Sequence, residues 1–288
     1  MSRSIAILSD VHGNMPALEA VLADLREQAV DEVLVGGDLV GRGPEGSRVA
    51  RRIRGLGWSC VRGNHEDYLL SFCRGAVPEP WLHAEEWAAS RWMSADLDDS
   101  DVRYLESLPF SANPHSAPDV LLVHGSPRSN NEGLGPWCSD EFLEEQIDPI
   151  EERVLVCAHT HRPMLRSYPG GLIVNVGAVG LPFNRDRRAQ YAILREDDGA
   201  WTAQFRQVEY DLQEIRSIYR STGFLLAGGI TARLLEMELE HATPFLVPFL
   251  KWAAATHRPP HLSELAAFLR EYDPSEPPGA FLERLPQS

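Results

Sequence analysis

Asp10, His12, Asp38, Asn64, His65, His124, His159 and His161 are the residues whose types and spacing could do chemistry. They fall in short segments: Asp10-Val11-His12, Gly37-Asp38, Gly63-Asn64-His65-Glu66, His124-Gly125 and His159-Thr160-His161. Carboxylate, amide and imidazole without thiolate suit Mn²⁺, Fe or Zn²⁺ better than a structural cysteine site does. Each segment directly follows an apolar run that reads as a buried strand, at residues 5–8, 33–35, 60–61, 120–123 and 154–157. Ligands at the carboxyl ends of successive strands converge on one edge of a sheet, where open α/β folds place their sites. A dinuclear metal site is the expectation.

Taken singly, each residue has a plainer reading. Asp10 and Asp38 could cap helix N-termini, and Asn64 after Gly63 could be a turn residue. Each histidine alone would more often be structural. The joint occurrence at strand ends is what favours a shared site. His83, His115, His241, His257 and His261 match no motif.

The elements that must position these residues follow from periodicity. Asn14 reads as an N-cap with Pro16 in the first turn. Leu18, Val21, Leu22 and Leu25 then recur at helical spacing, so a strand–loop–helix unit opens the chain. A second strand and helix repeat the pattern, which implies largely parallel pairing. Residues 68–108 are mostly helical in pattern, with Trp81, Trp87 and Trp92 as packing residues or, alternatively, a substrate wall. Short strands follow at 120–123, 154–157, 172–176, 191–194 and 201–208. The loop 126–140, rich in Ser, Asn, Gly and Pro, reads as a functional lid or a disordered segment. Four amphipathic helices are expected at 212–219, 230–239, 245–255 and 262–269, to bury their apolar stripes.

Composition narrows the class. The chain has 288 residues, 43% hydrophobic and 24% charged, as expected of an ordinary globular protein. A net charge of −15 argues against a general polyanion binder. It does not exclude a phosphate substrate, because bound cations can be the largest local charges in a site. Cys60, Cys73, Cys138 and Cys157 form no C-x-x-C pair, and Cys60 and Cys157 are expected as buried thiols. With no signal peptide before the first strand and no apolar run of about 20 residues, a cytoplasmic protein without membrane association is expected.

The order and spacing of the five segments resemble the calcineurin-like metallophosphoesterases, over about residues 5–194. Further echoes are Gly-Asp-Leu-Val-Gly-Arg-Gly-Pro at 37–44, His-Gly-Ser-Pro-Arg at 124–128, and Asn-Val-Gly-Ala-Val-Gly at 175–180 followed by Arg188-Ala189-Gln190-Tyr191. They look most like the small bacterial phosphodiesterase branch of that superfamily. The resemblance implies an α/β fold, the four-layer α/β/β/α sandwich, over residues 1–210. Residues 211–288 would be a helical C-terminal extension serving as cap, core cover or dimer element.

By the same resemblance, two divalent cations are implied, Mn²⁺ ahead of Fe or Zn²⁺. Asp10, His12, Asp38 and His161 would bind one, and Asp38, Asn64, His124 and His159 the other, so Asp38 bridges. A metal-bridging hydroxide would attack a phosphodiester or small phosphomonoester in line, with His65 donating a proton to the leaving oxygen. Arg62 would grip a phosphate oxygen, or else pair with Glu66 or Asp67; Arg42, Arg128 and Arg188 are weaker candidates. Expected partners are a small phosphoester substrate and no stable nucleic acid; the oligomeric state stays open. One departure stands out. The superfamily's protein serine/threonine phosphatases carry Asp-Arg-Gly where this chain has Gly41-Arg42-Gly43, so the carboxylate that orients the proton donor is missing there. A protein phosphatase, a dinucleoside polyphosphate hydrolase, and a non-catalytic scaffold like the retromer subunit of this fold are the alternatives.

Overall fold

A computed structural model of the protein describes residues 3–276 and 278–286. Strand β1 (Arg3–Leu8) alternates its side chains between two apolar environments. Ile5 and Ile7 face one buried cluster, and Ala6 and Leu8 another. A strand buried on both faces reads as a continuous apolar run. Helix α1 (Met15–Arg26) then starts as expected, with the Asn14 side chain accepting from Ala17 N–H and Pro16 in its first turn. β2 (Glu32–Val35), α2 (Gly46–Leu56), β3 (Ser59–Cys60) and α3 (Asn64–Cys73) repeat the unit. β1, β2 and β3 pair in parallel. β9 (Ala189–Asp197) and β10 (Ala200–Val208) extend the same sheet antiparallel on the other side of β1, giving the order β10-β9-β1-β2-β3.

The second sheet has the order β4-β5-β6-β8-β7. Its members are β4 (Ser111–Ala112), β5 (Val120–Val123), β6 (Val154–Cys157), β7 (Met164–Tyr168) and β8 (Gly171–Asn175). β5, β6 and β8 run parallel, and β4 and β7 are antiparallel edges. Val120, Leu122, Val154, Val156 and Val174 meet Ile5, Ile7 and Leu34 between the sheets. Val123, Leu155 and Cys157 face the opposite way, against Leu143 of α6 (Asp140–Ile147). Helices, sheet, sheet and helix make the expected four-layer sandwich.

α4 (Ala88–Ala95) and α5 (Asp99–Ser107) fill the stretch before β4. Trp81 and Trp87 stack with ring centroids 3.7 Å apart, and Trp92 packs on Phe224. The four expected C-terminal helices appear as α7 (Leu212–Ser221), α9 (Gly229–His241), α10 (Leu246–Ala255) and α11 (Leu265–Glu271), with the short α8 (Phe224–Ala227) between α7 and α9 and the short α12 (Pro278–Arg284) after α11. α7, α8 and α9 bury Ile215, Tyr219, Phe224, Leu235 and Leu239 in the same cluster as Ala6, Leu8 and Val35. α10 and α11 pack Phe249, Trp252 and Phe268 against Ile230 and Leu234 of α9. Among the described residues no helix is long and apolar enough to cross a membrane.

Candidate metal centre

Backbone hydrogen bonds tie the loop after β1 to the loop after β2, and the loop after β6 to the loop after β5. Asp10 N–H donates to Gly37 carbonyl at 3.1 Å, His12 N–H to Asp38 carbonyl at 3.0 Å, and Ala158 N–H to His124 carbonyl at 2.8 Å. Asp10, His12, Asp38, Arg42, His159 and His161 all have positive φ, between 50° and 62°. Left-handed backbone costs a non-glycine residue roughly 1–3 kcal/mol, so the packing around these loops over-determines it. Asp and His tolerate the region better than most residues. Gly63 is required by contact rather than φ, since an added Cβ there would stand 2.1 Å from Asp38 Oδ1.

Each carboxylate divides its oxygens. Asp10 Oδ2 accepts from His159 N–H at 3.3 Å, and Asp38 Oδ1 from His65 N–H at 2.9 Å. The other two, Asp10 Oδ1 and Asp38 Oδ2, are buried with no hydrogen-bond partner among the described residues. Asp10 Oδ1 lies 3.2 Å from His161 Nε2 and 3.7 Å from His12 Nε2. Asp38 Oδ2 lies 3.5 Å from His12 Nε2 and 3.4 Å from His124 Nε2. Leaving such oxygens unpaired in the interior is expensive unless something binds there.

The imidazoles are set by their far nitrogens. Nδ1 of His12, His124 and His161 bonds the carbonyls of Val40, Gly36 and Leu181, at 3.2, 2.7 and 2.5 Å. A carbonyl only accepts, so each Nδ1 carries a proton, and in the neutral ring each Nε2 turns its lone pair inward. This is the outer support that metal-ligating histidines require. His159 uses Nδ1 instead, 2.9 Å from Asn64 Oδ1, which also lies 3.0 Å from His124 Nε2. Ligand atoms of Asp10, His12, Asp38 and His161 gather within 4.8 Å of one another, and those of Asp38, His124 and His159 do so as well. Both groups share Asp38. All seven residues expected as ligands are brought together, His159 partly buried and the rest buried.

Charge follows the same logic. Burial disfavours ionisation of Asp10, but the neighbouring rings of His161 and His12 hold its carboxyl below the usual range. Burial likewise opposes ionisation of Asp38, and His124 and His65 hold its carboxyl low. Burial opposes a charge on His124, yet Asp38 outweighs it and the ring is pushed up to about 10. His159 is pushed down to about 4 by burial and by the charge of His124. The cluster thus stabilises positive charge between two carboxylates, which suits a cation.

His65 lies in the first turn of α3, with its ring edge-on to His12 at 5.0 Å between centroids and to Tyr68 at 5.6 Å. Burial first, and Arg42 among the charges, drives its pKa well down. Arg62 lies with Nε 3.2 Å from Asp67 Oδ1, the alternative pairing expected for it. Arg128 pairs with Glu132 and Arg188 with Asp186. Arg42 instead turns to His65 and to Glu238 of α9. The loop after His124 comes close to the cluster: a Cβ on Gly133 would meet His159 Cδ2 at 3.4 Å. Glu66 was legible in sequence only as a neighbour of Arg62, whereas its carboxylate accepts from four backbone N–H groups of the site loops. Glu238 carries no local sequence signal at all.

Residues 3–175 match the model of the calcineurin-like phosphoesterases, and the chain belongs to that family. A metallophosphoesterase of known structure from Sphaerobacter thermophilus is 29% identical, aligned over 83% of this chain and 100% of its own with a TM-score of 0.67. An uncharacterized protein of Methanocaldococcus jannaschii is 25% identical over 228 residues, 73% of this chain and 89% of that one. The symmetrical bis(5'-nucleosyl)-tetraphosphatase of Nitrosococcus oceani is 27% identical over 124 residues, 42% of this chain, and the match spans only 43% of that relative.

Proposed function

We propose that the protein is a two-metal phosphoesterase that hydrolyses a phosphodiester or a small phosphomonoester by in-line displacement. The observation that carries this reading is the pair of orphaned oxygens, Asp10 Oδ1 and Asp38 Oδ2, facing inward-turned imidazole nitrogens. Asp10, His12, Asp38 and His161 would hold one divalent cation, and Asp38, Asn64, His124 and His159 the other. The donor set is nitrogen and oxygen throughout, which suits Mn²⁺, Fe or Zn²⁺. When bound, such cations activate water and neutralise charge on phosphoryl oxygens.

The chain's own residues supply the rest. Asn64 offers a neutral carbonyl oxygen and so spares an anionic substrate one more negative neighbour. His65 would give its Nδ1 proton to the leaving oxygen. Burial and Arg42 keep the free ring neutral, and an anionic ester alongside would offset the charge of Arg42 and let Nε2 take up the second proton that the donation needs. Arg62, one-third exposed at 31% of its side chain, would exchange Asp67 for a phosphate oxygen through its planar fork. A scaffold function is disfavoured, because binding a partner requires neither a shared buried carboxylate nor strained ligand loops.

A second reading, hydrolysis of a dinucleoside polyphosphate, is favoured by the likeness to the symmetrical tetraphosphatase over 42% of the chain. Metal analysis of the purified protein, with activity on bis-p-nitrophenyl phosphate and on diadenosine tetraphosphate, tests both. Two metal equivalents and chelator-sensitive diester hydrolysis are expected. A well-folded protein that takes up no metal and cleaves neither ester would overturn the proposal, and faster cleavage of the tetraphosphate would select the second reading.

A further inference from the structure

The missing carboxylate at position 41 leaves His65 without the expected orienting partner, and the structure supplies one from elsewhere. Arg42 Nε donates to His65 Nε2 at 3.0 Å, and Arg42 Nη1 donates to Glu238 Oε2 at 3.0 Å. Glu238 lies on α9, 196 residues away in sequence and beyond the residues that match the family. We propose that Glu238 is a positioning residue for His65, acting through Arg42, and that the helical segment thereby completes the reaction centre. This rests on the reading of His65 as proton donor.

Three features make the link directional. A guanidinium only donates, so His65 Nε2 must accept and the neutral ring carries its proton on Nδ1. The Nδ1 edge faces Gly41, where φ is +78° and an added Cβ would stand 2.5 Å from Nδ1. No side chain at 41 can therefore share the space with the ring in this orientation, and the ring is oriented from its Nε2 side. Arg42 is in turn held at both ends. Its carbonyl accepts from Tyr219 Oη of α7 at 2.9 Å, and its side chain is only 14% exposed.

Glu238 has little freedom to act otherwise. Its side chain is fully buried, and Oε1 accepts from the N–H groups of Phe245 and Leu246 at 2.8 Å each. A buried carboxylate persists when its lone pairs are satisfied and a cation faces it. Here one oxygen fastens the start of α10, and the other fastens the arginine that touches His65. Glu236, two residues earlier, offers a contrast: equally buried, it pairs with Arg220 and Arg233 and reaches no site residue.

The test compares Glu238→Gln with Glu236→Gln in the full chain. Gln can still accept from Phe245 and Leu246 while losing the charge that holds Arg42. Side-chain ¹⁵N NMR of the metal-free protein, with His65 assigned through a His65→Gln spectrum, reads the tautomer without reference to activity. The wild type and Glu236→Gln should show His65 as the Nδ1–H form, and Glu238→Gln a mixture. With Mn²⁺ bound, Glu238→Gln should lose about 10- to 100-fold on alkyl phosphodiesters, the usual cost of removing a group that orients a working side chain. Hydrolysis of nitrophenyl esters should change little, and Glu236→Gln should leave the alkyl-to-aryl ratio at the wild-type value. A mixed tautomer in the wild type, or an alkyl-to-aryl ratio unmoved in Glu238→Gln, would overturn the proposal. A wild type that cleaves neither ester would instead sink the phosphoesterase reading, and the tautomer comparison would still decide the link.

Discussion

The carboxylate of Glu66 accepts a hydrogen bond from the backbone N–H of Asp38 at 2.8 Å, with the same Oε2 that accepts from Gly63 at 2.7 Å. Its Oε1 accepts from Leu39 and Val40 at 2.7 and 3.2 Å. One fully buried side chain therefore clamps the loop after β2 to the loop after β3, and so sets Asp38 relative to Asn64. Burial, and then the neighbouring charge of Asp38, push its carboxyl up to about 7.

Removing that clamp should loosen both metals and the fold together. For Glu66→Ala, four backbone donors lose their acceptor, and each buried unsatisfied group costs about 1–3 kcal/mol before relaxation. A large fall in melting temperature is expected, with metal affinity lowered about 10- to 100-fold. Calorimetry and metal titration check it; an unchanged metal affinity in the folded variant would show that the loops hold themselves.

Asp38→Asn should weaken both cations rather than one, because Asp38 Oδ2 lies between His12 on one side and His124 on the other. The amide keeps the shape and the bond from His65 N–H but removes the charge that offsets repulsion between two dications. Elemental analysis should find less than one full equivalent of either metal at concentrations that saturate the wild type. Two retained equivalents with normal turnover would refute the shared role.

His65→Gln should keep the metals, since no ring nitrogen of His65 belongs to either ligand group. Loss of general-acid help is worth about 10²–10⁴-fold, and it should fall on esters whose leaving oxygen needs a proton. Rates measured across alkyl, nucleoside and nitrophenyl esters should therefore diverge from wild type as leaving-group basicity rises. An equal loss on every ester would assign His65 to phosphate positioning.

Asp24 of α1 makes a paired contact with Arg206 of β10, at 2.7 and 2.8 Å, and accepts from Tyr191 Oη of β9 at 2.5 Å. Arg206 first, and then Tyr191 against the opposing effect of burial, hold its carboxyl below the usual range. A depressed carboxylate contributes stability that is complete above its unfolded pKa, near ~3.9, and is lost as pH falls through the folded value. At neutral pH Asp24→Asn should cost about 1 kcal/mol, or about 2–4 °C in melting temperature. Urea melts of both proteins from neutral to strongly acidic pH should show the gap closing only below about pH 4; a gap constant into strong acid would contradict the account.

The ligand residues were legible because each lies within a few residues of a strand whose apolar character is itself local. Alternation of Ile5 and Ile7 with Ala6 and Leu8 marks a strand buried on both sides, and Asp10 and His12 then follow at its carboxyl end by chain continuity alone. Strand β7 was not legible. Its Leu165 and Ser167 are exposed on an edge strand, and only pairing with β8 makes the segment a strand. The C-terminal helices were legible as amphipathic units, but their partners were not, because an apolar stripe specifies that it be buried and not against what.

What the sequence determined by itself was therefore the kind of site: which donor atoms, on which strand ends, in which order. Only the tertiary structure decided how each donor is held. The carbonyls of Val40, Gly36 and Leu181 choose the tautomers of His12, His124 and His161, and the partner of Arg42 comes from a helix 196 residues along the chain. Periodicity records which face of an element is apolar, over a range of one turn or one pleat. A hydrogen bond between two such elements depends on the position of one relative to the other, which arises only when the two sheets and the helices around them pack.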